Sequence, residues 1–120
     1  IDRLHIPVAH GEGSFFALDE VLARIEKDGL VSMRYVRPDG ARAGGEFPFN
    51  PNGSMNDIAS VSDRSGRIMG MMPHPERGMF FTQRDDWTLK KEMFAREGAS
   101  MPETADGFKI FTNAVEYFSH

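Results

Sequence analysis

The tetrapeptide Pro73-His74-Pro75-Glu76 constrains this chain more than any other stretch. Each proline fixes its own φ and biases the residue before it toward extended backbone, so His74 and Glu76 are expected off any helix. In an extended segment, residues two apart project to the same side at roughly 6.5 Å, close enough for a carboxylate to reach an imidazole. A histidine–carboxylate pair on rigid backbone is the base-and-orienter half of a nucleophilic triad. The motif does not supply the nucleophile.

The tetrapeptide follows an apolar run, Ile68-Met69-Gly70-Met71-Met72. A run apolar on both faces predicts a strand covered on both sides, as in a layered α/β sheet, and ligands bind beyond the carboxyl ends of such strands. Arg67 to Met72 pairs naturally with Ile58 to Ser62 through the hairpin signal Asp63-Arg64-Ser65-Gly66. The methionines between 69 and 79 read as core packing, because no cysteine accompanies them to make a soft-metal site.

Towards the N-terminus, Leu4, Ile6 and Val8 alternate with His5, Pro7 and Ala9, which predicts a short strand confined by Pro7 to an edge or an interrupted ladder. It leads into His10-Gly11-Glu12-Gly13. Two glycines around a glutamate suit a close approach to a ligand, and turn chemistry alone also explains them. Leu18, Val21, Leu22 and Ile25 place an amphipathic helix over roughly 19 to 28, with Asp19 able to cap it and Gly29 at its C-terminal end. Leu30 to Val36 reads as a strand closed by Pro38-Asp39-Gly40, and Ala41 to Gly53 as a long loop. Asn50-Pro51-Asn52-Gly53-Ser54, with Asn56-Asp57, reads as a chain of turns positioning the next strand.

Beyond Arg77, Asp85-Asp86-Trp87 can cap a helix running to about Glu97. Thr104 or Asp106 can start a last helix, on which Phe108, Phe111, Val115 and Phe118 form one stripe beside Ile110, Ala114 and Tyr117, a core-facing pattern. At 120 residues and 40% hydrophobic the chain can bury one modest core. Its net charge of −4 gives no electrostatic reason to bind nucleic acid or an anionic membrane. No apolar run approaches the ~20 residues of a membrane span. The absence of cysteine excludes a disulfide framework, and the cytosol is the default compartment.

Three blocks in register, Ile6-Pro7-Val8-Ala9-His10-Gly11-Glu12-Gly13, Asn52-Gly53-Ser54 with Asn56-Asp57-Ile58-Ala59, and Gly70-Met71-Met72-Pro73-His74-Pro75-Glu76-Arg77, resemble the glutaminase component of phosphoribosylformylglycinamidine synthase. That component belongs to the class I (triad) glutamine amidotransferases. The resemblance, which reaches through Ala105-Asp106-Gly107, implies an α/β fold: residues 1–120 as the C-terminal part of a flavodoxin-like sandwich. It implies a Cys–His–Glu triad that frees ammonia from glutamine for purine biosynthesis, with His74 as the base and Glu76 as its orienter. His10, Gly11 and Glu12 match a turn lining the glutamine pocket. The implied partners are glutamine, the N-terminal half of the domain with its cysteine, and a synthetase subunit or domain that uses ATP and Mg²⁺. The resemblance assigns no cofactor or metal to this chain.

With no cysteine, the chain by itself is expected to be inactive and looks cut from something longer. A non-catalytic module docking on a synthetase is the rival reading; the residue standing upstream in the nucleophile's place separates the two. A metal hydrolase using His5, His10, Glu12, His74 and Glu76 is the third, but those spacings match no compact metal motif. Half a sandwich would expose a sheet edge and an apolar face, so the isolated chain is expected to aggregate or pair.

Overall fold

The hairpin expected around Asp63 organises the sheet. In the computed structural model, which describes residues 1–120, Ile58–Ser62 (β2) pairs antiparallel with Met69–Met71 (β3), with Ser60 opposite Met71 and Ser62 opposite Met69. Asp63 closes the connection: its carboxylate accepts from the backbone N–H of Arg67 and Ile68, both at 3.1 Å. Val31–Arg34 (β1) pairs antiparallel along the other side of β2, giving the order β1-β2-β3. The central strand supplies the buried residues Ile58, Ala59 and Ser60.

The chain divides into two compact units, Val8–Pro73 and Ile1–Pro7 with His74–His120. In the first, Asp19–Lys27 (α1) precedes the sheet. Gly29, at φ 67°, ends it: the N–H of Gly29 returns to Glu26 and that of Leu30 to Ile25, the paired closure of a left-handed C-cap. Arg34 on β1 grips both carboxylate oxygens of Glu26, tying α1 to the sheet. Tyr35, Ala43 and Ala59 form the small core, with Met33 and Phe49 packed against it.

The long loop is moored by one buried carboxylate. Asp57 accepts from the N–H groups of Gly44 at 2.9 Å and Gly45 at 2.8 Å and from the Asn50 side chain at 3.0 Å. Asn50, also buried, closes on Ser54, accepting from its N–H at 3.0 Å and donating to its carbonyl at 2.9 Å. Burial pushes the Asp57 carboxyl up, but the Gly45, Asn50 and Gly44 donors and nearby Arg42 outweigh it and hold it below its ordinary value.

In the other unit, Trp87–Arg96 (α2) and Asp106–Phe118 (α3) are joined to short 3₁₀ turns at Pro75–Arg77 and Phe81–Gln83. Phe81 is buried edge-to-face against Phe94 of α2, ring centroids 6.0 Å apart. The first turn of α3 lies on the Pro75–Arg77 turn, where the Gly107 N–H donates to the Gly78 carbonyl at 2.9 Å. A Cβ on Gly107 would lie 2.2 Å from the Pro75 carbonyl oxygen and 2.6 Å from that of Gly78, so only glycine fits.

Several expectations are corrected. Leu4 to Val8 forms no ladder: Pro7 has no N–H, and its carbonyl instead accepts from the His74 N–H at 2.9 Å. Asp19 lies inside α1, whose N-cap is Leu18, so it acts through the helix dipole. Asp86 does sit at the N-cap of α2, but its carboxylate is taken by Arg84, at 2.7 and 2.8 Å. The β3 segment is not covered on both faces; it is the edge strand, with Ile68 and Met69 exposed. The α3 stripe is half-buried only at Phe108, beside Phe80; Phe111, Val115 and Phe118 are 41%, 66% and 68% exposed. An apolar stripe records what a helix can bury, and only the first turn of α3 finds a partner in its unit.

Two substitutions test these contacts. Asp57→Asn replaces one of the two accepting oxygens, each of which holds a backbone N–H, with a donor and should destabilise the fold by about 1–3 kcal/mol, read from the urea midpoint. Because the folded pKa of Asp57 is depressed, its contribution is present above the ordinary carboxylate range and lost as pH falls through the folded value; the variant should lose less stability on acidification. Gly107→Ala should cost about 1–3 kcal/mol through overpacking against backbone, read the same way.

Candidate functional site

The segment that carries His74 is extended only as far as the histidine, which has φ −108° and ψ 89°. Pro75 then occupies the first position of the 3₁₀ turn Pro75–Arg77, a place where its missing N–H costs nothing. Glu76 therefore sits on a turn, not two residues along a strand as expected. The contact forms all the same: His74 Nδ1 lies 2.7 Å from Glu76 Oε1. The turn is pinned by Arg77 N–H to the His74 carbonyl at 3.1 Å and Gly78 N–H to the Pro75 carbonyl at 3.0 Å.

The electrostatics give the pair a direction. The hydrogen bond from His74 holds the Glu76 carboxyl below its ordinary value, with the charge of Arg77 adding to it. An ionised carboxylate only accepts, so the imidazole must carry a proton on Nδ1, which in the neutral ring leaves the lone pair at Nε2. The two side chains are partly open, at 34% and 54% exposed, so a reactant can reach the ring.

His10, Gly11 and Glu12 belong to the other unit, Val8–Pro73. Gly11 has φ 55°, a left-handed conformation that favours glycine, and the Gly13 N–H closes the turn on the His10 carbonyl at 2.7 Å. His10 Nε2 lies 2.7 Å from the Tyr35 hydroxyl. Asn52 donates its side-chain amide to the carbonyls of Gly11 and Gly13. Ser54 Oγ accepts from the Phe15 N–H at 2.9 Å, just past the turn. The N–H groups of Gly11 and Glu12 are left without a partner in the chain, and the Glu12 side chain is exposed.

Sequence reasoning found the His74–Glu76 pair and the His10–Glu12 turn, but not the residues that hold the turn. Tyr35 reads as one more β-former in a strand, and no local signal links it to a histidine 25 residues earlier. Asn52 and Ser54 lie in the segment read as turns, Asn52 within one and Ser54 just past it, but their partners are 39 to 41 residues away. The metal-ligand set is not assembled: His5 Nε2 is 3.6 Å from Asp85, His74 bonds Glu76 and His10 bonds Tyr35, with no cluster of three or more ligating side chains. No helix is long and apolar enough to cross a membrane.

Residues 1–118 match the CobB/CobQ-like glutamine amidotransferase domain. A phosphoribosylformylglycinamidine synthase subunit PurQ of Methanococcus maripaludis is 42% identical over 120 residues, 99% of this chain and 44% of the relative. Proteins of the same name from Dehalococcoides mccartyi and Thermus thermophilus are 40% identical over 117 residues and 49% identical over 76, covering 98% and 63% of this chain and 40% and 31% of the relatives. The chain thus spans less than half the length of these relatives. With mixed helices and strands that include a small antiparallel sheet, and a match over almost its whole length, the chain belongs to the CobB/CobQ-like glutamine amidotransferase family.

Proposed function

We propose that this chain is the C-terminal part of the glutaminase of a cytoplasmic phosphoribosylformylglycinamidine synthase, which frees ammonia from glutamine for a synthetase partner in purine biosynthesis. The observation that carries the proposal is the 2.7 Å contact between His74 Nδ1 and Glu76 Oε1 in a chain of this family. ATP and Mg²⁺ belong to the synthetase in this proposal, and the cysteine nucleophile to the part of the domain preceding these residues.

The roles follow from the proton positions. Glu76 holds the Nδ1 proton, so Nε2 takes the proton of the cysteine thiol. The thiolate adds to the carboxamide carbon of glutamine, and the imidazolium returns the proton to the departing nitrogen, which leaves as ammonia. Water, deprotonated by the same Nε2, then hydrolyses the thioester to glutamate. The negative charge of Glu76 stabilises the imidazolium in both steps. At the substrate's other end, the Gly11 and Glu12 N–H groups suit the α-carboxylate of glutamine and the Glu12 carboxylate its α-ammonium.

In the enzyme carrying this chain and its nucleophile, His74→Ala should lower kcat for glutamine-dependent ammonia release by about 10³-fold or more, and Glu76→Gln, which keeps shape but removes charge, by at least about 10²-fold. Because Glu76 is held below the ordinary carboxylate range, it stays ionised at neutral pH, and the loss in Glu76→Gln should persist there. Near wild-type kcat in His74→Ala would sink the proposal. The 120-residue chain alone, having no cysteine, should release no ammonia from glutamine; a measurable rate from purified chain contradicts the assigned nucleophile.

A further inference from the structure

The turn bearing His10, Gly11 and Glu12 does not hold its own shape. A single backbone hydrogen bond closes it, from the Gly13 N–H to the His10 carbonyl, and Gly11 gives its backbone the widest freedom available to a residue. What restricts it comes from far along the chain. Tyr35, only 9% exposed, sets its hydroxyl 2.7 Å from His10 Nε2, with the two rings edge-on at a 6.0 Å centroid distance. Asn52 donates to the carbonyls of both Gly11 and Gly13. On the far side, Ser54 Oγ holds the Phe15 N–H and the Met55 N–H holds the Phe15 carbonyl at 3.0 Å. Met72 packs so closely that a Cβ on Gly13 would lie 2.7 Å from its terminal carbon.

The carbonyls that Asn52 takes fix the Gly11–Glu12 and Gly13–Ser14 peptide planes, and the Gly11 N–H shares its plane with the His10 carbonyl, which the Gly13 N–H holds. With those oxygens held, the peptides cannot flip them toward a bound carboxylate, which they would repel. The Gly11 and Glu12 N–H groups remain for that role. Burial pushes the Tyr35 phenol up to about 12, so it is a neutral hydroxyl throughout the working pH range. Asn52 itself is anchored by neighbours with no freedom: Asn50 and Ser54, two residues to either side, are both buried and bonded to each other.

We propose that Asn52 and Tyr35 are positioning residues for the amino-acid end of glutamine, Asn52 by fixing the peptide planes of Gly11 to Gly13 and Tyr35 by fixing the His10 ring. The inference rests on the glutaminase reading of the turn. It requires these residues to act on substrate binding and not on the chemical step, because the bonds they make are to the turn.

The test uses the enzyme containing this chain and its nucleophile, with ammonia release followed across glutamine concentrations. Asn52→Ala should raise KM for glutamine about tenfold with kcat within about twofold. Tyr35→Phe keeps the ring in the core and removes only the hydroxyl; it should raise KM by about threefold or more, and its effect should vanish in a His10→Ala background, because Tyr35 acts through His10. If both single variants leave KM within twofold while His74→Ala abolishes activity, the positioning role is wrong and the glutaminase reading stands. A parallel fall of kcat and thermal stability with KM unchanged overturns it too, since that is the signature of a merely structural contact. Undiminished ammonia release by His74→Ala would remove the glutaminase reading and this inference with it.

Discussion

The carboxylate of Asp57 is the point on which the Val8–Pro73 unit depends. It is buried immediately before β2, on a backbone forced to φ 57° beside Asn56 at 52°, a region that non-glycine residues seldom occupy. Such strain persists only when the surroundings over-determine it. Here two backbone N–H groups, one side-chain amide and a nearby guanidinium do so. A buried carboxylate so paired is tolerated; one stripped of these donors would not be. The result is a loop of more than ten residues with little regular structure whose far end, Asn52 to Ser54, is nevertheless placed closely enough to grip a turn some 40 residues earlier.

The His74–Glu76 pair is organised on the opposite principle. Its geometry is local: three residues, two prolines and one short turn bring the ring and the carboxylate together. What that turn needs from the rest of its unit is a seat, which Gly107 gives by letting the first turn of α3 approach Pro75 and Gly78 at backbone distance. The Asp106 carboxylate beside it accepts from the His5 N–H at 2.9 Å, so the N-terminal segment is fastened to the same helix start. Little apolar area is involved, and steric fit with a few hydrogen bonds suffices.

That difference explains what the sequence revealed. Elements and groups fixed by near neighbours were legible: the hairpin at Asp63, α1 with its Gly29 closure, α2, α3, and the histidine–glutamate contact. The detail of that contact departs from the expectation, because Pro75 at the first position of a turn starts one instead of extending the chain. The exposed side chains of Met69, Phe111, Val115 and Phe118 were misplaced because hydrophobic period reports a capacity for burial and not the presence of a partner. Tyr35 and Asn52 were not legible at all, since nothing in the residues around them marks a contact made at a separation of 25 or more.

The two modes of construction also distribute risk differently across the proposed chemistry. The pair proposed to handle protons sits on backbone that few substitutions elsewhere can bend, which suits groups that must meet within a few tenths of an ångström. The turn proposed to hold the substrate's amino-acid end is set by side chains of another segment. On the proposed function, a change in the Asn50–Asp57 network bears on how tightly glutamine is held, and a change around Gly107 on how fast it is cleaved.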